Sequence, residues 1–381
     1  MAKVYLDHNA TSPIRPQAAD AMMRALQMGG NPSSVHAQGR AARSVVEDGR
    51  SAVSALVGAR NLIFTGGGTE ANALGIEGSV AAGGVGRLIV GATEHDAVTK
   101  AALATGLPVE IWPVDANGVA DLDWLAERLA RRNAADGRAL VALMLANNET
   151  GVIQPVGQTA ALVRQADGLL HVDAVQAAGK IAVDIEALGA NTLALSAHKL
   201  GGPQGVGALA YGERAKLKAR LHGGGQEQGL RAGTENVAGI AGFAAAATAA
   251  LAELPHAAGQ AAFRDATADR IVSAADVRIA GAGVDRLPGT LCLATKDIAS
   301  SIQVMALDLD GVMVSSGSAC SSGKVTPSRV LDAMGLGDLA TGALRVSGGW
   351  NTTHSDWDRF ADVWLGLYAR HTARGRMREL A

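Results

Sequence analysis

Cysteine is nearly missing from this chain of 381 residues, which has only Cys292 and Cys320. Two thiols exclude a disulfide framework and any cluster held wholly by the chain's own thiolates. Charge of one sign is missing too. Lys plus Arg number 34 and Asp plus Glu 36, a net −2, so no basic field favours nucleic acid. The longest uncharged run of concern, residues 236–252, is rich in Ala and Gly. It falls short of the ~18 strongly apolar residues a membrane span needs, so a tightly packed buried helix is expected there. The nine histidines form no H-E-x-x-H and no His/Cys pair at ligand spacing, which disfavours a metal site of that kind. Near the N-terminus Asp7 interrupts any signal-peptide core, and a cytoplasmic protein with neither membrane nor nucleic-acid partner is expected.

The composition is otherwise that of a folded protein, with 48% apolar and 18% charged residues. Its 48 glycines are about 13% of the chain, against a usual ~7%, and show no collagen period. Turns, close packing and backbone–ligand approach are the uses left for them. Short apolar runs at 62–65, 88–90, 140–146, 169–172 and 192–195 alternate with helical patterns such as 71–82. That alternation predicts an α/β fold with a mostly parallel central sheet. Beyond residue 254 the pattern changes to helices near 261–275 and 302–309 around Gly/Pro/Ser-rich loops. Residues 16–254 are therefore read as a large cofactor-binding domain. Residues 1–15 with 255–381 are read as a smaller α+β domain.

Each of the five runs leads into a polar, glycine-rich or titratable cluster. These are Gly66-Gly67-Gly68-Thr69-Glu70, Thr93-Glu94-His95, Asn147-Asn148-Glu149-Thr150-Gly151, Asp173, and Ser196-Ala197-His198-Lys199. Open α/β sheets bind ligands outside the carboxyl ends of their strands, so these ends point to one crevice. The glycine run between strand and helix suits either a phosphate or a simple tight turn. Lys199 in such a crevice can form a Schiff base if its pKa is lowered. Asp173 can hold a pyridine nitrogen protonated, and His95 is either a satisfied structural histidine or a group that stacks and moves protons. Phosphate loop, lysine and aspartate together are the parts list for pyridoxal phosphate. Cys292, between Leu291 and Leu293, reads as inert packing. Cys320, in Ser315-Ser316-Gly317-Ser318-Ala319-Cys320, sits among small polar residues where a reactive thiol is an open alternative to packing.

Over nearly its whole length the sequence resembles the cysteine desulfurases, class-V aminotransferase-like enzymes, in the group whose catalytic cysteine lies on a long loop. The motifs that carry the resemblance are D-H-N-A-T at 7–11, N-P-S-S-V-H at 31–36, T-G-G-G-T-E at 65–70 and Glu94-His95. They continue with N-N-E-T-G at 147–151, H-V-D-A-V-Q at 171–176, S-A-H-K at 196–199, the stretch 222–236, and S-S-G-S-A-C at 315–320. The resemblance implies a fold-type I pyridoxal 5'-phosphate enzyme that converts L-cysteine to L-alanine. Sulfur passes to Cys320 as a persulfide, then to an iron–sulfur scaffold protein or another acceptor.

It further implies that Lys199 tethers the coenzyme, Asp173 pairs with its ring nitrogen, and Gln176 and Asn148 lie near its ring hydroxyl. Gly68, Thr69, Ser196 and His198 would hold its phosphate and Ala197 would also contact the coenzyme, with Thr234 reaching the phosphate of the other subunit in a homodimer. His95 would stack on the ring, Lys199 or His95 would move the α-proton, and Arg345, with Asn148, would bind the substrate carboxylate. Cys320 would be nucleophile, sulfur carrier and a transient iron–sulfur ligand together with the acceptor protein. Two departures from the family pattern stand out: Ser347-Gly348-Gly349-Trp350-Asn351 after Arg345, and Gly66 where many members have Ser.

Overall fold

The computed structural model describes residues 3–131, 137–316 and 328–379. After β1 (Val4–Tyr5) come two helices, α1 (Pro16–Met28) and α2 (Ala37–Leu56). Strands and helices then alternate through β2 (Asn61–Thr65), α3 (Gly68–Ala81), β3 (Val85–Gly91), α4 (Asp96–Ala104), β4 (Val109–Trp112) and α5 (Leu122–Ala130). The alternation continues with β5 (Arg138–Met144), α6 (Val156–Gln165), β6 (Leu169–Asp173), α7 (Ile185–Leu188), β7 (Thr192–Ser196) and β8 (Gly207–Tyr211). The C-terminal part holds α8 (Val237–Glu253), α9 (Ala257–Val272), β9 (Arg278–Ile279), β10 (Thr290–Ala294) and α10 (Ser300–Leu309). It ends with β11 (Val312–Met313), β12 (Ser315–Ser316), α11 (Arg329–Ala333), β13 (Leu344–Ser347) and α12 (His354–Glu379).

Seven strands form the main sheet in the order β2-β8-β7-β6-β5-β3-β4, in which β8 alone runs against its neighbours. The five strands expected from sequence are all in it, although the run expected over 140–146 ends as a strand at Met144. Strand β5 is apolar along both faces because helices cover both sides, as a central parallel strand requires. Strand β8, Gly-Ala-Leu-Ala-Tyr, lacks the branched residues that mark strands, which is why sequence pattern passed over it.

On one face of the sheet lies the largest core, with Phe64, Val141, Val172 and Leu195. Helix α2 turns Val46, Gly49, Val53 and Leu56 inward at helical spacing. A Cβ on Gly49 would come 2.5 Å from Ile240 Cγ2, so this glycine lets α2 and α8 approach closely. By length and composition the stretch Val237–His256 does suffice to cross a membrane, which corrects the shortfall expected from residues 236–252. Its Ile240, Phe243, Ala247 and Ala250 belong to the large core, in keeping with the expected packed helix.

The other face of the sheet packs α3 and α4. A separate core joins Leu291, Leu293 and Val346 of the C-terminal four-stranded sheet to Trp357, Phe360 and Trp364 of α12. Val4 and Leu6 lie in this same core, and β1 pairs with β11. The first residues of the chain are thus folded with its last third.

Candidate functional site

Because β2, β3, β5, β6 and β7 run the same way, their carboxyl ends share one edge of the sheet. A cavity of about 240 Å³ opens there. Its wall includes Gly68, Thr69, His95, Asn148, Asp173, Gln176, Ser196, His198, Lys199 and Arg345, all expected from sequence. Ala197 is fully buried and stays off this wall, Thr234 is exposed away from it, and Cys320 lies outside the described residues. The wall also carries Asn9, Ala10 and Asn72, to which the sequence alone assigns no role.

At one end the wall is mostly backbone. Helix α3 begins at Gly68 after Gly67, whose φ of 152° suits glycine. The first N–H groups of a helix have no intrahelical partner and face the positive end of its dipole. A Cβ on Gly68 would sit 2.8 Å from Val175 Cγ2 and 3.2 Å from Ser196 Cβ, so only glycine keeps this end open. Gly66 donates its N–H to Glu70 Oε2 at 2.6 Å, and Glu70 pairs with Arg231 at 2.8 Å. A wider opening of about 750 Å³, lined by Gly66, Thr69, His198 and Gln204, continues from here to the surface. The construction suits a phosphate.

Deeper in, Asp173 ends β6. Its Oδ1 accepts from Val175 N–H at 2.9 Å and its Oδ2 from Asn72 Nδ2 at 2.7 Å. The other side of the Asn72 amide, Oδ1, meets His171 Nε2 at 2.8 Å, and His171 Nδ1 meets Thr192 Oγ1 at 2.9 Å. Burial pushes the His171 imidazole down to about 3, leaving it a neutral spacer. Burial pushes the Asp173 carboxyl up, against its two hydrogen bonds and the charges of His95 and Lys199. Nearby Glu94 is pushed up further by burial and by Asp173 itself. Its Oε1 accepts from Met144 N–H, and its Oε2 has no partner among the described residues. Of the two carboxyls, Asp173 is the one with two hydrogen-bond donors and nearby positive charge to favour its ionised form. A protonated pyridine nitrogen would supply the opposite charge that buried Asp173 needs.

Lys199 follows β7 in a short 3₁₀ turn and donates from Nζ to Asn9 O at 2.6 Å and Ala10 O at 2.8 Å. His95 caps α4, and its Nδ1 accepts from Ala97 N–H at 3.1 Å. That bond assigns the proton of the neutral ring to Nε2. His198 shares a 3.1 Å bond with Thr11 Oγ1 and is pushed down to about 4 by burial and by the charges of Lys199 and Lys180. The Asn9 amide bonds in several directions. Its Nδ2 donates to Asn148 O at 3.1 Å and Thr290 Oγ1 at 3.0 Å, while its Oδ1 accepts from Lys180 Nζ at 2.8 Å.

Arg345, buried on β13, pairs with Asp7 Oδ1 at 2.8 Å and donates to Asn148 O at 3.3 Å. Its Nε has no partner among the described residues. The sequence after it, which departs from the family pattern, braces the segment around Asn9. Ser347 Oγ accepts from Asn9 N–H at 3.0 Å, Gly349 leaves room for the His8 ring, and Trp350 Nε1 donates to Pro13 O at 3.0 Å. Cys292 faces Arg345 in the β10–β13 pair and is fully buried; burial pushes its thiol up to about 12, as inert packing requires. Asn147 has a structural role. Its Oδ1 accepts from the N–H groups of Glu149 and Thr150, which shapes the turn that presents Asn148.

Comparison with known proteins bears on this arrangement. The family profile described as aminotransferase class-V matches residues 4–360. A cysteine desulfurase of Cereibacter sphaeroides is 41% identical over 374 residues, covering 95% of each chain. The cysteine desulfurase IscS of Dictyoglomus turgidum is 37% identical, covering 95% of this chain and 93% of its own. Among solved structures, a NifS-like protein from Rickettsia africae superposes with a TM-score of 0.88 at 29% identity, over 96% of this chain and 99% of that one. SspA, solved in complex with cysteine, superposes with a TM-score of 0.77 at 26% identity, over 92% of this chain and all 100% of its own.

Proposed function

The chain belongs to the aminotransferase class-V family, as one of its cysteine desulfurases, and on that premise we propose a role for each group around the cavity. The reaction converts L-cysteine to L-alanine and passes sulfur to an enzyme cysteine as a persulfide. Acceptor proteins of iron–sulfur assembly or other thiolation pathways then take it up. The family generally depends on pyridoxal 5'-phosphate, and the residues present fit that coenzyme. Gly68, Thr69, Ser196 and His198 would hold its phosphate, Asp173 its ring nitrogen, and Gln176 and Asn148 its ring hydroxyl, with Lys199 as the tether. When bound, the coenzyme draws electrons away from the substrate α-carbon.

The chain's own groups do the rest. Arg345 receives the substrate carboxylate, with Asn148 beside it. Lys199 Nζ, aimed by two carbonyls, moves the α-proton. His95 covers the ring and donates from Nε2. The Cys320 thiolate attacks the substrate sulfur: an S–S bond forms, the C–S bond breaks, and its electron pair leaves with carbon. A proton then completes alanine, so L-cysteine plus the Cys320 thiol become L-alanine plus the Cys320 persulfide. The surface opening beside α3 would be closed by Thr234 of a second copy in a homodimer. Residues 16–254 would serve as the coenzyme-binding unit, with 1–15 and 255–381 as the unit carrying the cysteine.

The observation that carries this reading is one cavity that brings together the Lys199 amine, the buried Asp173 carboxylate and the glycine-led start of α3. The test is incubation with L-cysteine, followed by intact-mass analysis and an alanine assay. One added sulfur on Cys320 and stoichiometric alanine are expected. Full sulfide release by Cys320→Ser, with reductant present, would overturn the role of Cys320.

A further inference from the structure

Lys180 has no part in the roles above, yet it stands directly behind them. Its Nζ donates to Asn9 Oδ1 and to Gln176 Oε1, both at 2.8 Å. Neither acceptor can rotate without breaking something else. Asn9 Nδ2 is committed to Asn148 O and Thr290 Oγ1, and Gln176 Nε2 donates to Asn9 O at 2.9 Å. That same carbonyl receives Lys199 Nζ at 2.6 Å. Lys180 therefore grips the side chain of Asn9 while Lys199 rests on its main chain. Behind them lies a second chamber of about 180 Å³, whose wall includes both lysines together with Ser12, Arg15 and Trp350. The reacting amine thus has a substrate face and a rear face, and Lys180 is on the rear.

We propose that Lys180 is a positioning residue for Lys199: by locking Asn9 it keeps two carbonyls aimed at the amine, and it sets a second amine behind it. This inference rests on the reading of Lys199 as tether and proton mover. The consequence is geometric. Burial first, then the charges of Lys199 and Arg345, push Lys180 well below the usual lysine range, so it acts on Asn9 and Gln176 as a hydrogen-bond donor rather than as a charge.

The test uses holoenzyme carrying Lys180→Met, which keeps chain length and loses the amine, and Lys180→Gln, which keeps an N–H donor. For Lys180→Met, kcat for alanine should fall about tenfold, with KM for L-cysteine within twofold of wild type. Lys180→Gln should recover much of the kcat. Borohydride reduction and peptide mass mapping should find the coenzyme on Lys199 in all three proteins. Wild-type kcat in folded Lys180→Met would overturn the proposal, as would kcat and KM effects that track loss of folded protein. If mapping finds no coenzyme on Lys199 in the wild type, the reading of Lys199 fails, and the role of Lys180 goes with it.

Discussion

At the Gly68 end the cavity is walled by backbone and small side chains and opens to the surface. At the Lys199 end it is walled by buried charged and amide groups from stretches far apart in the chain. The first end is a local product, since one strand, three glycines and one helix start suffice. The second needs residues 7–10, 148, 180, 199, 290 and 345 together, and a fault in any one reaches the others through Asn9. The open end should therefore fail by losing ligand, and the closed end by losing fold or chemistry.

The largest effect should come from the closed end. Lys199→Ala should lower alanine formation by at least about 10³-fold, with the circular dichroism of the fold unchanged; a loss under tenfold would refute the lysine's role. Next is Gly349→Ala, whose Cβ would collide with His8 Nδ1. Overpacking there should cost ~2–3 kcal/mol, read as a lower Tm, with activity falling in step as Asn9 loses its brace.

Glu149→Gln should sharpen the contrast through pH. Burial pushes the Glu149 carboxyl up to about 7, against the Ser328 hydroxyl at 2.5 Å and the charges of Arg345, Arg329 and His95. A folded-state value raised above the unfolded one contributes stability that is present below the ordinary carboxylate range and lost as pH rises through about 7. Glutamine never ionises, so the variant should match wild type near pH 5 and exceed it at pH 8 by ~2 kcal/mol in chemical denaturation. A constant difference across pH would remove Glu149 from the account. The smallest effect should be that of Gly68→Ala at the open end. Coenzyme affinity should drop about tenfold, or ~1.4 kcal/mol, with Tm of the coenzyme-free protein falling less than for Gly349→Ala, because the added Cβ crowds Val175 and Ser196 less closely than that one crowds His8. If Tm falls as far as for Gly349→Ala, the two ends do not differ as described.

The same contrast marks what the sequence made legible. Strand ends and their clusters could be read because apolar runs and glycine turns are local signals, and the sheet then brings those ends to one edge whatever the loop lengths. Lys199, Asp173 and Gly68 were accessible in that way. Arg345 came from family resemblance alone, since nothing near it in the chain marks it as facing the others. The side chains of Asn9 and Asn72 give no local signal because they bond to residues 99 to 281 positions away, and the bond from Lys180 to Asn9 spans 171. The D-H-N-A-T motif was in plain view, but only the fold shows that its Asp7 and Asn9 complete the site.

The pairing of β1 with β11, and of Asp7 with Arg345 across 338 positions, has a consequence for biosynthesis. On the ribosome, Asp7 is made 338 residues before Arg345 and Asn9 281 residues before Thr290, so both wait for their partners while the sheet is synthesised. All seven strands of the main sheet have been made by Tyr211, but the segment whose carbonyls receive Lys199 Nζ gains its Ser347 brace only when β13 follows. Translation stopped short of that point leaves the Asn9 segment without the Ser347 hydroxyl that braces it.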